Sequence, residues 1–307
     1  MNGESIIMDR KLETKRLLIY LVLSFLLTWI IFFTFILTGH KWDGTNPALE
    51  SFSSLGMLVP FLAHILTRMI TKEGFAMTGK DSLMLGISFK KKKWICYLFA
   101  MFVPWIYFEA WHALVLLFYP EIYDPSYYKV FGIEKNLIWL MPINAMISGT
   151  VVSFAALGEE GGWRGYMMPK LIKLMGMPKA VIIGGIIWGL WHAPLTCVGH
   201  NYGTDYPGFP YLGILLMCAE CICMGVMLTY ITVKSGSIWP AAIMHAVNNA
   251  NPSILAFFTN MEKAGEIIPN PMIAYVLNLI PLALLALGTF LLSRGVSLCH
   301  DGRGYSI

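Results

Sequence analysis

The sequence predicts an all-α protein, a polytopic transmembrane helical bundle of about eight spans. Of its 307 residues, 57% are hydrophobic and only 13% are charged. The mean hydropathy is +0.63, above what the polar surface of a soluble domain allows. Eight apolar stretches are long enough to cross a bilayer, which takes about 20 helical residues. These observations exclude a soluble globular domain.

The eight predicted spans follow one another along the chain. Each must be a helix, because an unpaired backbone group in lipid costs several kcal/mol. The first apolar run has no small-residue cleavage site behind it, so it is predicted to be a retained span and not a signal peptide. The spans are residues 17–38, 51–71, 94–119, 137–157, 180–198, 211–233, 236–258 and 272–293.

Lysine and arginine predict the orientation, since cytoplasmic loops retain an excess of both. With the N-terminus inside, only four of the 22 lysines and arginines fall on the outer side: Lys41, Lys129, Lys135 and Lys263. Loops rich in lysine and arginine alternate with loops poor in them if there are eight spans, and this alternation fails for an odd number of spans. Both the N- and the C-terminus are therefore predicted to be cytoplasmic.

Ionisable side chains at membrane depth are expensive, about 2.5–3.5 kcal/mol each, and are functional candidates by default. His192 and His245 lie 12 and 10 residues inside the cytoplasmic ends of their spans. At about 1.5 Å per residue, both are roughly 15–18 Å deep. If the fourth helix continues to Lys170, Glu159 reaches the same depth. We expect three helices to bring a carboxylate and two imidazoles to one layer.

That continuation makes a helix of residues 137–170, about 50 Å long against a hydrocarbon core of about 30 Å. We expect this helix to bend or tilt, with Gly158, Gly161 and Gly162 as its weak points.

Helical spacing separates the two adjacent carboxylates of this segment. Glu160 and Arg164 are four residues apart and can pair on one face, which lowers the cost of burying both. Glu159 is turned by about 100° from Glu160 and can point elsewhere.

A second pair at the same spacing is His245 and Asn249, which present two side chains to one spot. Asn248 faces nearly the same way, so spacing alone does not choose between the two asparagines.

We interpret four other ionisable residues of the spans as partners in hydrogen bonds between helices. They are His64, Glu109, His112 and Glu220.

A carboxylate beside an imidazole can hold and deprotonate a water, a task for Glu159 and His192. His245 and Asn249 offer donors that suit a developing oxyanion. Together these groups suit hydrolysis of an amide without a covalent intermediate. Alternatively, Glu159, His192 and His245 bind Zn²⁺ as an open three-ligand site. The spacing does not show the metal, because the usual HExxH helix is absent.

Three motifs resemble those of the CAAX protease and bacteriocin-processing (CPBP, or Abi) family of intramembrane endopeptidases, which includes the type II CAAX prenyl endopeptidases. GEEGGWRGY, from residue 158, resembles the family's EExxxR motif. WGLWH, residues 188–192, resembles FxxxH, and HAVNN, residues 245–249, resembles HxxxN. The order and spacing of the three motifs fit the family.

The resemblance implies roles for the candidate residues. Glu159 and His192 would activate the attacking water, and His245 and Asn249 would stabilise the oxyanion. This implication favours Asn249 over Asn248. The family is usually classed with metallopeptidases, yet a metal-free water mechanism is also argued for it, so both remain open.

The resemblance also assigns a supporting role to Glu160 and Arg164, which would hold the site in shape. Trp188 departs from the motif, which prefers Phe, and we expect little consequence because an aromatic ring remains.

The chain divides into three N-terminal spans with their loops at 1–136, a catalytic core at 137–258, and the last span with the C-terminal tail at 259–307.

The expected function is that of an intramembrane endopeptidase whose site opens to the cytoplasm. The expected partners are the lipid bilayer and a peptide or protein substrate, either prenylated or a leader or signalling peptide, with no nucleic acid. We expect a multi-pass integral membrane protein, in the plasma membrane if the source is bacterial. Two alternatives are a non-catalytic bacteriocin-immunity or scaffolding protein, and a transporter that uses the buried carboxylate.

Overall fold

The structure is a computed structural model that describes residues 3–79 and 81–293. Within these ranges every regular element is a helix, apart from one isolated bridge between Tyr123 and Thr259. The all-α prediction is confirmed. The α-helices of the described residues are α1 (Gly3–Leu37), α2 (Pro47–Ser54), α3 (Val59–Thr71), α4 (Trp94–Phe118), α5 (Met141–Val151), α6 (Ser153–Gly162), α7 (Met168–Met175), α8 (Met177–Trp191), α9 (Ala193–Thr196), α10 (Tyr211–Ser235), α11 (Trp239–Asn249), α12 (Met261–Ile267) and α13 (Met272–Ser293).

Five stretches of the described chain are helical, long and apolar enough to cross a membrane. A sixth span results if the bent pair Lys135–Val151 and Ser153–Met175 crosses as one. Helices α8 and α11 have only 15 and 11 residues. At about 1.5 Å per residue, both are shorter than a hydrocarbon core of about 30 Å. Helices occur at all eight predicted places, and the number of complete crossings stays a prediction.

The seventh predicted span, residues 236–258, is wrong in extent. Helix α11 ends at Asn249, and residues beyond it form a loop with one 3₁₀ turn, Leu255–Phe258. Asn251 has a φ of 44° in the left-handed region, and it precedes Pro252. The α conformation is disfavoured for a residue that precedes proline. The helix therefore ends here, although the residues that follow are apolar.

The long helix predicted at residues 137–170 is bent by 57°. The break lies at Val152, between α5 and α6, and not at the glycines. Before the break, the hydroxyls of Ser148 and Thr150 donate to carbonyls one turn back, at 2.7 and 2.8 Å. Such bonds often bend helices.

The glycines of α6 have a different use, so their prediction as weak points is wrong. A Cβ at Gly162 would lie 2.5 Å from the carbonyl of Pro60, and one at Gly158 would lie 2.6 Å from the carbonyl oxygen of Met57. These glycines let α6 approach the segment that leads into α3.

Loops that the predicted topology places on the same side of the membrane contact each other. On the side predicted to be outer, the Trp42 amide donates to the Val198 carbonyl at 2.7 Å. On the other side, the Ile238 amide donates to the Met84 carbonyl at 3.0 Å. Which side is cytoplasmic stays a prediction. Residues 1–2 and 294–307, which include both termini and the C-terminal tail, lie outside the described residues.

A charged network joins α1, α7 and the loop after α3 on the side predicted to be cytoplasmic. The Lys170 ammonium lies 2.7 Å from the Glu73 carboxylate and 3.1 Å from that of Glu13. The Tyr166 hydroxyl also donates to Glu73, at 2.5 Å, and Arg16 lies 3.6 Å away. Because removing one partner of a buried pair leaves an uncompensated charge, the network fixes how these three segments sit together.

Helix α8 packs on α10 through two glycines four residues apart. A Cβ at Gly185 would lie 2.5 Å from the Cα of Ile222, and one at Gly189 would lie 2.5 Å from the Cα of Cys218. Small residues at this spacing let two helix backbones approach closely. The contact fixes the end of α8, which precedes His192.

Replacing Gly185 with Ala should therefore destabilise the folded protein by about 1–3 kcal/mol, the usual cost of overpacking. Thermal unfolding in detergent measures this loss. Gly288→Ala in α13 is the matched control, because nothing lies within 4 Å of the Cβ it adds. Equal stability of the two variants would contradict the close approach of α8 and α10.

Glu73 should make the stability depend on acidity. Burial by itself raises the pKa of this carboxyl, but hydrogen bonds from Lys170, Tyr166 and Thr71 outweigh it and lower the pKa to about 2. An unfolded glutamate titrates near pH 4.3, roughly. Since the folded pKa is the lower one, the carboxylate stabilises the fold above the unfolded pKa, and this contribution disappears as the pH falls towards about 2.

Glu73→Gln should accordingly lower the unfolding temperature near neutral pH and flatten its decline from about pH 5 downwards. Unfolding temperatures across a pH series test this expectation. Glu262→Gln, at an exposed position, controls for the loss of one negative charge. A Glu73→Gln variant with the wild-type pH dependence would show that Glu73 does not stabilise the network.

Candidate active site

Three segments meet around a group of polar side chains inside the bundle. Helix α6 carries Glu159 and Glu160, α8 ends immediately before His192, and α11 carries His245. The two carboxylates and His245 are buried, whereas His192 is partly accessible. The structure thus brings three of the predicted residues together in the buried interior, with a fourth at its edge.

Glu160 lies at the centre of this group and is fully buried. Its Oε1 accepts a hydrogen bond from Arg164 Nη1 at 3.1 Å, the ion pair that the spacing predicts. The same oxygen accepts from His245 Nδ1 at 2.9 Å. The second bond links α6 to α11 and was not predicted, because helical spacing describes only pairs within one helix.

A π-helical turn, Trp163–Met167, follows α6 and carries Arg164. Such turns insert an extra residue into the helix and occur frequently at functional sites. The Arg164 guanidinium carbon lies 4.0 Å from the centre of the Trp188 ring. Its charge is therefore compensated by Glu160 and by the face of an aromatic ring.

Glu159 has a different partner from its neighbour, as the rotation between the two residues predicts. Its Oε2 accepts a hydrogen bond from the indole Nε1 of Trp188 at 2.8 Å. Among the described residues this is the one hydrogen bond of the Glu159 carboxylate, so Oε1 is not used within the protein.

His192 is oriented by a backbone bond. Its Nδ1 lies 2.9 Å from the carbonyl oxygen of Trp188. A carbonyl only accepts, so Nδ1 carries the hydrogen and Nε2 of the neutral ring presents its lone pair. No hydrogen bond joins His192 to Glu159 within the described part of the chain; both residues are bonded to Trp188.

The two asparagines of the third motif occupy the end of α11. Asn248 accepts a hydrogen bond from the Tyr107 hydroxyl, and its amide donates to Asn249 Oδ1 at 3.1 Å. Asn249 is exposed, one turn after His245. The structure shows no bond between these last two side chains in the residues it describes, and the choice of Asn249 over Asn248 stays a prediction.

His64 forms a hydrogen bond between helices, as the sequence predicts. His64 is fully buried, and its Nδ1 donates to the carbonyl oxygen of Gly161 at 2.8 Å. Arg68 Nε donates to His64 Nε2 at 2.7 Å. His64 and Arg68 are four residues apart on α3, the spacing that identified Glu160 and Arg164. Two ionisable residues four positions apart in an apolar helix are therefore the sequence signal for a buried polar pair of this kind.

The other ionisable residues of the spans also form hydrogen bonds. Glu220 accepts from the Tyr202 hydroxyl at 2.8 Å. Glu109 accepts from the Ser253 hydroxyl at 3.2 Å and so holds the loop that follows α11. His112 donates to a carbonyl of its own helix. Glu220 and Glu109 thus bond to other segments of the chain, whereas the prediction of a bond between helices is wrong for His112.

The residues proposed for zinc do not form a ligand set in this structure. Among the described residues, no three His, Cys, Asp or Glu side chains are placed to hold a metal ion. His245 Nδ1 is bonded to Glu160, and Glu159 Oε2 is bonded to Trp188. Zinc binding by Glu159, His192 and His245 therefore stays a prediction.

The apolar helices and the buried carboxylate–imidazole group define a polytopic integral membrane protein with a polar centre inside its bundle. Residues 136–251 match the Rce1-like family of type II CAAX prenyl endopeptidases. A CAAX prenyl protease 2 of Methanococcus maripaludis is 36% identical over 103 residues, which are 33% of this chain and 38% of that relative. This segment is therefore similar to type II CAAX prenyl endopeptidases, and the chain spans well under two thirds of that relative's length. The division into three regions at 136 and 258 stays a prediction.

Breaking the buried ion pair from one side should be costly. Arg164→Met leaves Glu160 with one donor fewer, and we expect a loss of about 3–5 kcal/mol in the free energy of unfolding. Adding Glu160→Gln removes the uncompensated charge, so the double variant should be more stable than Arg164→Met alone. Unfolding of the variants in detergent forms a double-mutant cycle. Additive losses would indicate that the two side chains do not interact.

Proposed function

We propose that the chain is an intramembrane endopeptidase in which Glu159 and His192 activate a water that attacks a peptide bond. The observation that carries this proposal is the unequal bonding of the two adjacent carboxylates. Glu160 Oε1 is committed to Arg164 and His245 and its Oε2 is buried without a partner, whereas Glu159 has one neutral donor, on Oε2. The match to the Rce1-like family supports the same reaction.

In the proposed reaction Glu159 Oε1 accepts a proton from the water while the water oxygen bonds to the peptide carbonyl carbon. His192 Nε2 accepts a hydrogen bond from the same water and orients it. The carbonyl π electrons move to oxygen and give a tetrahedral oxyanion. As the oxyanion collapses, the C–N bond breaks, and the proton held by Glu159 passes to the leaving nitrogen.

His245 and Asn249 are proposed to stabilise the oxyanion. An oxyanion-binding His245 needs a hydrogen on Nε2, while its Nδ1 donates to Glu160. The ring then carries a positive charge, and the Glu160 carboxylate at 2.9 Å balances it. Glu160 and Arg164 would thus support the chemistry without contacting the substrate.

We propose a peptide substrate that enters from the cytoplasmic side, which carries the excess of lysine and arginine. The Methanococcus maripaludis relative is a CAAX prenyl protease 2 by name. A prenylated peptide is therefore one candidate class, and a leader or signalling peptide is the other. An internally quenched farnesylated peptide and the same peptide without the lipid distinguish the two classes.

Glu159→Gln and His192→Ala should each lower the rate of peptide cleavage by about 10²–10⁴-fold, the range for loss of general acid–base catalysis. Both variants should remain folded in the membrane. Glu220→Gln is the matched control, since it changes another intramembrane carboxylate that is bonded to Tyr202. Mass spectrometry of membrane peptides, in cells with each variant, measures cleavage without a chosen substrate.

Full activity in either variant would exclude the proposed roles. A wild-type protein that cleaves neither peptide, and whose effect in cells survives Glu159→Gln, would favour a non-catalytic immunity or scaffolding function.

A further inference from the structure

Trp188 contacts four residues of the candidate site, which are Glu159, Arg164, His192 and His245. The residue is 5% exposed. Its indole N–H donates to Glu159, and its carbonyl oxygen accepts from His192. The face of its ring receives the guanidinium of Arg164. Its ring also meets that of His245 edge to face, with centroids 5.5 Å apart and planes at 72°.

The indole N–H is the part of this side chain that a phenylalanine cannot replace. A Phe ring at position 188 retains an aromatic face for Arg164 and an edge for His245, but it has no donor for Glu159. The motif that this segment resembles prefers Phe here. The expectation that Trp188 has little consequence therefore overlooked the hydrogen bond that this chain makes.

Two other buried tryptophans of the same layer lack such a bond. Trp163 and Trp191 are at most 1% exposed, and their rings lie 5.8 Å apart. Neither indole nitrogen has a hydrogen-bond partner among the described residues. Burial of a tryptophan in this layer thus does not by itself supply its N–H with an acceptor.

We propose that Trp188 is a positioning residue, whose indole N–H holds Oε2 of Glu159 so that Oε1 meets the water. This inference rests on the proposed function. A glutamate side chain has three rotatable bonds, and a single hydrogen bond to Oε2 restricts the carboxylate. Without that bond the carboxylate samples other rotamers, and fewer bound substrates meet Glu159 in the reactive geometry.

Trp188→Phe should lower kcat by about 10–100-fold, the effect of losing one hydrogen bond to a charged group, while KM changes little. Trp191→Phe and Trp163→Phe are matched controls: each removes one buried indole N–H that has no partner in the described structure. Both should retain kcat within about twofold. Cleavage of the internally quenched farnesylated peptide, or of its unprenylated form, supplies the rates.

A spectroscopic measurement tests the bond independently of activity. In protein labelled with ¹⁵N-tryptophan, the indole resonance that is absent from Trp188→Phe identifies Trp188. That resonance should shift in Glu159→Gln, while the resonances absent from Trp191→Phe and Trp163→Phe stay in place. This measurement tests the hydrogen bond between Trp188 and Glu159 even if neither peptide is cleaved.

An unshifted Trp188 resonance in Glu159→Gln, or a wild-type kcat in Trp188→Phe, would overturn the positioning role. If the resonance shifts but the wild-type protein cleaves no peptide, the proposed function fails and the bond is structural, which also overturns this role. An equal fall of kcat in all three Phe variants would assign the effect to packing and not to the N–H.

Discussion

The structure depends on the burial of one carboxylate, that of Glu160. A charged group at membrane depth is tolerated only with partners, and Glu160 obtains them from its own helical segment and from α11. Arg164 and His245 donate to the same oxygen at 3.1 and 2.9 Å. This requirement fixes the rotation of α11 against α6 and the direction of Arg164. Arg164 in turn lies on the face of Trp188 and so brings the end of α8 to the group.

A second chain of bonds connects this group to the loop after α3. His64 donates to the Gly161 carbonyl, next to Glu160, and Arg68 donates to His64. The two terminal nitrogens of Arg68 donate to the carbonyls of Gly74 and Ser82, each at 2.9 Å. The loop, α3 and the backbone beside the π-helical turn therefore form one bonded unit. The glycines of α6 permit the close approach of the chain around Pro60 that this unit requires.

Much of the fold was predictable, because hydrophobic length and the cost of unpaired backbone groups dictate helices in lipid. The pairing of Glu160 with Arg164 was predictable from spacing within one helix. The bond between Glu160 and His245 was not, since it joins residues 85 positions apart. Mean hydropathy also misplaced the end of α11, because a positive φ at Asn251 is a local backbone property. The Trp188–Glu159 bond was missed because a motif records residue types and not the atoms that meet.

The two adjacent glutamates can hold different roles because their bonding differs in kind. Proton transfer from a water to Glu160 would disrupt an ion pair that joins α6 to α11. Glu159 can accept the same proton at Oε1 while Oε2 keeps its hydrogen bond to Trp188. The proposed base is therefore the carboxylate whose use leaves the buried ion pair intact. The proposed oxyanion role likewise leaves a bond in place. The Asn248 amide donates to Oδ1 of the exposed Asn249, so the Nδ2–H groups of Asn249 stay available to donate to an oxyanion beside His245.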